Sequence, residues 1–130
     1  MSLSDPIADL LTRIRNATMA KHRYVDVSLS KLKRSIVEVL KEAGFIEHFL
    51  VDDERRQMRI FLKYNKRKES IINGLKRYSK PSVRRYVGYK EVPNVLEGLG
   101  LAVLSTSKGV MSGSKAKHEK VGGELLCCIW

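Results

Sequence analysis

The sequence predicts an α+β protein of two small lobes, an N-terminal α/β lobe over residues 1–64 and a mainly β lobe over residues 65–130. Three observations carry that reading. Apolar residues recur at helical spacing twice before residue 45. Residues 45–64 then form two strand-like runs around a polar turn. Beyond residue 65 the apolar runs are short and broken by Pro or Gly. With 130 residues and 43% hydrophobic composition the chain can bury a core that hides roughly two-thirds of its unfolded surface.

The opening segment "SDPIADLLTRIRNAT" reads as a helix, with Ser4 or Asp5 as N-cap and Pro6 in the first turn. Ile7, Leu10, Leu11, Ile14 and Thr18 make its apolar stripe, and Arg13, Arg15 and Asn16 lie on the other face. "YVDVS" alternates as a short strand. Ser30 can cap a second helix whose apolar face is Leu32, Ile36, Val39, Leu40 and Ala43, ended by Gly44. "FIEHFLV" and "MRIFLKY" are strands joined by the turn "DDERRQ". After "NKRK", breaks at Pro81, Gly88, Pro93, Gly98 and Gly100 leave a helical turn near Pro93 to Glu97, a strand in "LGLAVLSTS" and a buried strand in "GGELLCCIW". There is no repeat and no flexible linker, so the two lobes are expected to share an interface.

The net charge of +11 points to a polyanionic partner. Its distribution is uneven: residues 1–64 hold 12 Lys/Arg against 9 Asp/Glu, residues 65–90 hold 9 against 1, and residues 91–130 hold 4 against 4. In the basic segment, Lys76, Arg77, Lys80, Arg84 and Arg85 are mixed with Tyr78, Tyr86 and Tyr89, a combination that grips phosphates and stacks bases. No apolar run is long enough to span a membrane and the N-terminus does not resemble a signal peptide, so an internal aqueous compartment is expected. Cys127 and Cys128 are adjacent, which disfavours a mutual disulfide and fits no zinc spacing; reduced thiols, at least one of them buried, are expected. His22, His48 and His118 are scattered, and Asp52, Asp53 and Glu54 fall in the polar turn, so no metal or other cofactor is called for.

The segment "STSKGVM" at 105–111 concentrates hydroxyls beside a cation and a glycine. Ser105 and Lys108 have the S-x-x-K spacing of serine-lysine hydrolases, but here the serine ends an apolar strand and neither companion motif follows. Phosphate-loop and dinucleotide fingerprints are also missing. An RNA-recognition element is the better reading. Ser105 and Ser107 would share one strand face, Thr106 would point away, and Gly109 would let the backbone approach a ligand. On this reading the protein is not an enzyme and has no small-molecule substrate.

"DPIADLLTRIRNA", "LKRYSKPSVRRYV", "GLGLAVLSTSKGVM" and "VGGELLCCIW", in that order, resemble the bacterial and organellar small-subunit ribosomal protein number eight. The resemblance implies a primary rRNA-binding protein that docks on the central domain of the small-subunit rRNA, beside neighbouring ribosomal proteins. It implies a location in the ribosome, in the cytoplasm or in an organelle. It places the signature on Ser105, Thr106, Ser107, Lys108 and Gly109, with Tyr86 and Glu124 beside them, and a second rRNA contact around Asp5, Pro6, Arg13, Arg15 and Lys31. Many members of that family also repress their own operon through an mRNA site that mimics the rRNA. A non-ribosomal RNA-binding module or RNA chaperone is the alternative reading. Two departures from the family pattern stand out: "SGSKAKHEK", where Gly113 works against the usual short helix, and Cys128 in place of an aromatic residue, which is expected to loosen packing.

Overall fold

The computed structural model describes residues 5–130, so the Ser4 alternative for the first cap lies outside it. Helix α1 (Pro6–Met19) is capped by the Asp5 carboxylate, which accepts from the Ala8 amide at 3.2 Å. Its buried stripe is Ile7, Leu10, Leu11, Ile14 and Ala17. Thr18 does not complete the stripe as expected; its hydroxyl instead donates to the Arg15 carbonyl at 2.8 Å. In α2 (Lys31–Glu42) the buried face is turned from the expected one and comprises Lys33, Ile36, Val37, Val39 and Leu40, while Leu32 and Ala43 are exposed. Lys33 can sit on this face because its charge is satisfied. Its stem is buried while Nζ donates to Ser28 Oγ at 2.6 Å, a placement that apolar counting passes over.

Strands β1 (Tyr24–Ser28), β2 (Ile46–Asp52) and β3 (Gln57–Leu62) form an antiparallel sheet in the order β1-β3-β2. Val27, Ile46, Met58, Ile60 and Leu62 cover one face and are buried in the same cluster as the apolar stripes of α1 and α2.

The second sheet comprises β4 (Leu75–Arg77), β5 (Tyr86–Val87), β6 (Leu101–Thr106), β7 (Gly109–Ser112) and β8 (Gly123–Ile129). Its order is β4-β8-β6-β7, and β5 also pairs with β8. Alternation divides its side chains between two faces. Leu75, Leu101, Val103, Cys127 and Ile129 join the same core as α1 and α2. Ala102, Leu104, Met111, Leu125 and Cys128 form a second cluster with Val92 and Ala116. The register shift on the β6–β8 pair leaves Leu126 without a partner in the ladder, and Leu126 and Cys127 both join the first core.

Both departures from the family pattern are accommodated. Residues Gly113–Glu119 form helix α3, with Ser112 Oγ accepting from the Lys115 amide at 3.2 Å. Gly113 sits so close to Val92 and Ala102 that a Cβ would overlap Val92, so close packing offsets its poor helix propensity. Cys128 is 1% exposed in the second cluster, with Trp130 packed against it. Both thiols are free, and burial pushes Cys127 up to about 12 and Cys128 to about 11. The helical turn expected near Pro93 to Glu97 is a tight reversal at Val95–Gly98 in which Leu96 and Glu97 take left-handed φ of 45° and 54°.

Candidate nucleic-acid interface

Strand β6 ends at Thr106, and Thr106 pairs with Gly109 across the Ser107-Lys108 turn. Ser107 therefore does not extend the strand face of Ser105, which corrects the i, i+2 expectation; it is exposed in the turn. Thr106 holds the turn together: its hydroxyl donates to the Gly109 carbonyl at 2.8 Å and accepts from the Lys108 amide at 3.1 Å. Gly109, at φ +110°, supplies the backbone reversal, and a Cβ there would meet only open space. The Ser105 and Ser107 hydroxyls make no hydrogen bond to other described residues, so both remain available to a ligand.

Register sets what lies beside this turn. Ser105 pairs with Glu124, and Glu124 pairs with Tyr86, so three strands present one row on one face of the sheet. Tyr86 is 71% exposed. The strands close tightly here because residue 123 is glycine; a Cβ would overlap the Ser105 carbonyl oxygen. Glu124 is fixed from beneath by Ser79, which is fully buried and donates to its carboxylate, and from the side by Arg84 Nη1 at 2.9 Å. Ser79 Oγ also accepts from the Arg85 amide at 3.1 Å. Burial alone would push the Glu124 carboxyl up, but the Ser79 and Arg84 hydrogen bonds and the Arg84 and Arg77 charges outweigh it and hold the group below the usual carboxylate range. The row thus contains a fixed anion, an exposed ring and a free hydroxyl.

The expected cations divide. Lys108 sits in the turn itself, and Lys80 is exposed in the loop before β5. Lys76 and Arg85 lie against Tyr78, with their charged ends 4.8 and 5.8 Å from its ring centroid. Lys76 pairs with Cys128 and so occupies the opposite face from the Ser105 row. Arg84 is engaged with Glu124. Arg77 is not a surface cation: its side chain is 10% exposed, its guanidinium pairs with Asp5 at 3.2 Å and Nη1 donates to the Leu126 carbonyl at 2.7 Å. In α1, Arg15 donates to the Leu75 carbonyl at 2.6 Å and Arg13 pairs with Asp9, whereas Lys31 is exposed at the start of α2. Ser79 and Gly123 escaped sequence reasoning. A lone serine in a basic stretch carries no signal, and the requirement for glycine appears only when β5, β8 and β6 are side by side. Among the described residues no His, Cys, Asp or Glu cluster could hold a metal, and no helix is long and apolar enough to cross a membrane.

The sequence profile described as ribosomal protein S8 matches residues 5–130, essentially the whole of this architecture. The chain belongs to the ribosomal protein S8 family. It is 53% identical to the small ribosomal subunit protein uS8 of Protochlamydia amoebophila over 133 aligned residues, covering 100% of both chains. It is 55% identical to the uS8 protein of Desulforudis audaxviator, covering 98% of this chain and 99% of that one. Its identity to uS8 of Pediococcus pentosaceus is 52%, with complete coverage of both. S8 proteins are structural constituents of the small ribosomal subunit and are not enzymes, so Ser105 and Lys108 form no hydrolase site.

Proposed function

We propose that this S8 protein docks on the central domain of the small-subunit rRNA and supports its assembly, reading the RNA through the Ser105–Glu124–Tyr86 row and the 105–109 turn. The observation that carries the reading is the cross-strand register. It aligns an exposed ring, a fixed carboxylate and a free hydroxyl beside a second free hydroxyl at Ser107. Small hydroxyls accept from and donate to ribose and base edges, and an exposed tyrosine stacks an unpaired base. The Glu124 carboxylate repels phosphate and accepts from base amino groups, so it selects among RNA surfaces rather than adding bulk attraction. Lys108 and Lys80 supply phosphate contacts near this surface, and Lys76 and Arg85 extend the positive field to the other face of the sheet.

The test is titration of parent, Ser105→Ala and Ser107→Ala proteins onto cognate and loop-altered rRNA fragments at two salt concentrations. Each serine variant should bind cognate RNA roughly tenfold to a hundredfold more weakly and discriminate less, with the salt dependence unchanged because no ionic contact is lost. Lys108→Ala should do the reverse, flattening the log-log salt slope by about one unit while preserving discrimination. Folded serine variants that bind like the parent would overturn this surface.

A further inference from the structure

The N-terminal sheet packs one face on α1 and α2 and leaves the other open. Register arranges the open face in cross-strand rows: Tyr24, Phe61 and His48, then Asp26, Arg59 and Leu50, with Ser28, Gln57 and Asp52 beyond. The first row is aromatic. His48 stacks on Phe61 at 4.2 Å and 14°, and Tyr24 is tilted against the same ring at 5.9 Å. In the second row Asp26 holds Arg59 at 2.8 and 3.1 Å, the guanidinium lies 4.0 Å from the centre of the Tyr24 ring, and Leu50 is left 57% exposed.

Over the second and third rows, toward the β2–β3 turn, lies an open cleft of about 770 Å³. Asp26, Asp52, Asp53 and Glu54 contribute four carboxylates to it, against the two guanidiniums of Arg55 and Arg59. Both guanidiniums are already paired, Arg59 with Asp26 and Arg55 with Asp52 at 3.9 Å. Asp53 and Glu54 have no cation within pairing distance among the described residues. On a chain of net charge +11 the lining of this cleft is locally acidic; Arg56, exposed in the same turn, does not line it.

We propose that this open face docks a neighbouring protein of the small subunit through a basic segment, with Lys or Arg side chains entering the acidic cleft and apolar side chains covering Leu50 and the aromatic row. Two features favour protein over RNA. Unpaired carboxylates repel phosphate and attract cations at a distance. An exposed Tyr24 with Arg59 positioned over its ring is the aromatic and guanidinium pairing enriched at the centre of protein interfaces, and Leu50 adds apolar area beside it. The proposal rests on membership of the small subunit and not on the rRNA-reading row.

The experiment replaces Leu50 with a benzophenone-bearing residue and reconstitutes the full chain into small subunits from purified proteins and rRNA. After irradiation, the cross-linked partner is mapped by mass spectrometry. The expected product joins position 50 to a Lys/Arg-containing peptide of another small-subunit protein. Adding Asp53→Lys with Glu54→Lys should lower its yield roughly tenfold, while binding to naked rRNA, measured in parallel, is undiminished. Should the double reversal fail to fold, Asp53→Asn with Glu54→Gln must lower the yield in the same direction by a smaller factor. A cross-link to rRNA, no macromolecular cross-link, or a yield indifferent to these charges overturns the proposal. Loss of naked-rRNA binding in the parent would instead count against the reading in the preceding subsection.

Discussion

Ser79 is the residue on which the candidate interface turns, although it never reaches the surface. One oxygen donates to Glu124 and accepts from the Arg85 amide, so a single hydroxyl ties the 79–85 loop to β8. Ser79→Ala removes the hydroxyl partner of both the part-buried Arg85 amide and the Glu124 carboxylate, and should destabilise the protein by about 1–3 kcal/mol in denaturant titrations. Glu124 gives this network a pH signature. Its folded carboxyl lies below the ordinary value, so its contribution is complete above the unfolded pKa of about 4.3 and is lost as the pH falls through the lower, folded value. The stability advantage of the parent over Glu124→Gln should therefore be constant in neutral buffer and shrink below about pH 4. An advantage that grows in acid would show that the carboxyl is raised instead.

Among the elements, β8 has the tightest constraint. It is paired with β4, β5 and β6, its middle is buried on both faces, and its first residue must pass the Ser105 carbonyl without a side chain. The obstacle is backbone, which cannot swing aside as a flexible side chain can. Gly123→Ala should therefore cost at least the roughly 1–3 kcal/mol typical of overpacking and displace Ser105 from Glu124. Thermal melting would report the first effect, and amide exchange at Thr106 and Ser105 the second. Ordinary stability with unchanged exchange would mean that β8 tolerates a wider spacing than described.

Across the whole molecule, the two sheets share the larger of the two cores. Leu75, Leu101, Val103, Cys127 and Ile129 are buried in the same cluster as Ile7, Leu10 and Ile14. The Asp5–Arg77 pair and the Arg15 bond to the Leu75 carbonyl fasten the first helix to β4. A fragment of residues 70–130 would expose that apolar face and strand Arg77 beside buried groups. It should melt far below the full chain or fail to fold, and the intact protein should unfold in one transition by both circular dichroism and Trp130 fluorescence. Two separated transitions would show that the lobes are energetically independent.

The sequence by itself determined what local chemistry decides. Asp5 and Pro6 start α1, Ser30 starts α2, "DDERRQ" makes the β2–β3 turn, and the signature at 105–109, with its companion motifs, marks the family. These features depend on neighbours along the chain, and periodicity, capping and turn propensity record such neighbours. Tertiary structure decided the rest, because register and partner are set by residues far apart in sequence. It turned α2 to bury Lys33, took Arg77 from the expected RNA surface into a bond with Asp5, moved Ser107 into a turn, and placed Lys76 on the opposite face from Ser105. It also brought Tyr86, Glu124 and Ser105 into one row, although they come from three separate strands. Only one of the two faces of each strand could meet the shared core, and which side chains met it was fixed by the packing of β4 against α1 and of β7 against α2, contacts that no short window of sequence contains.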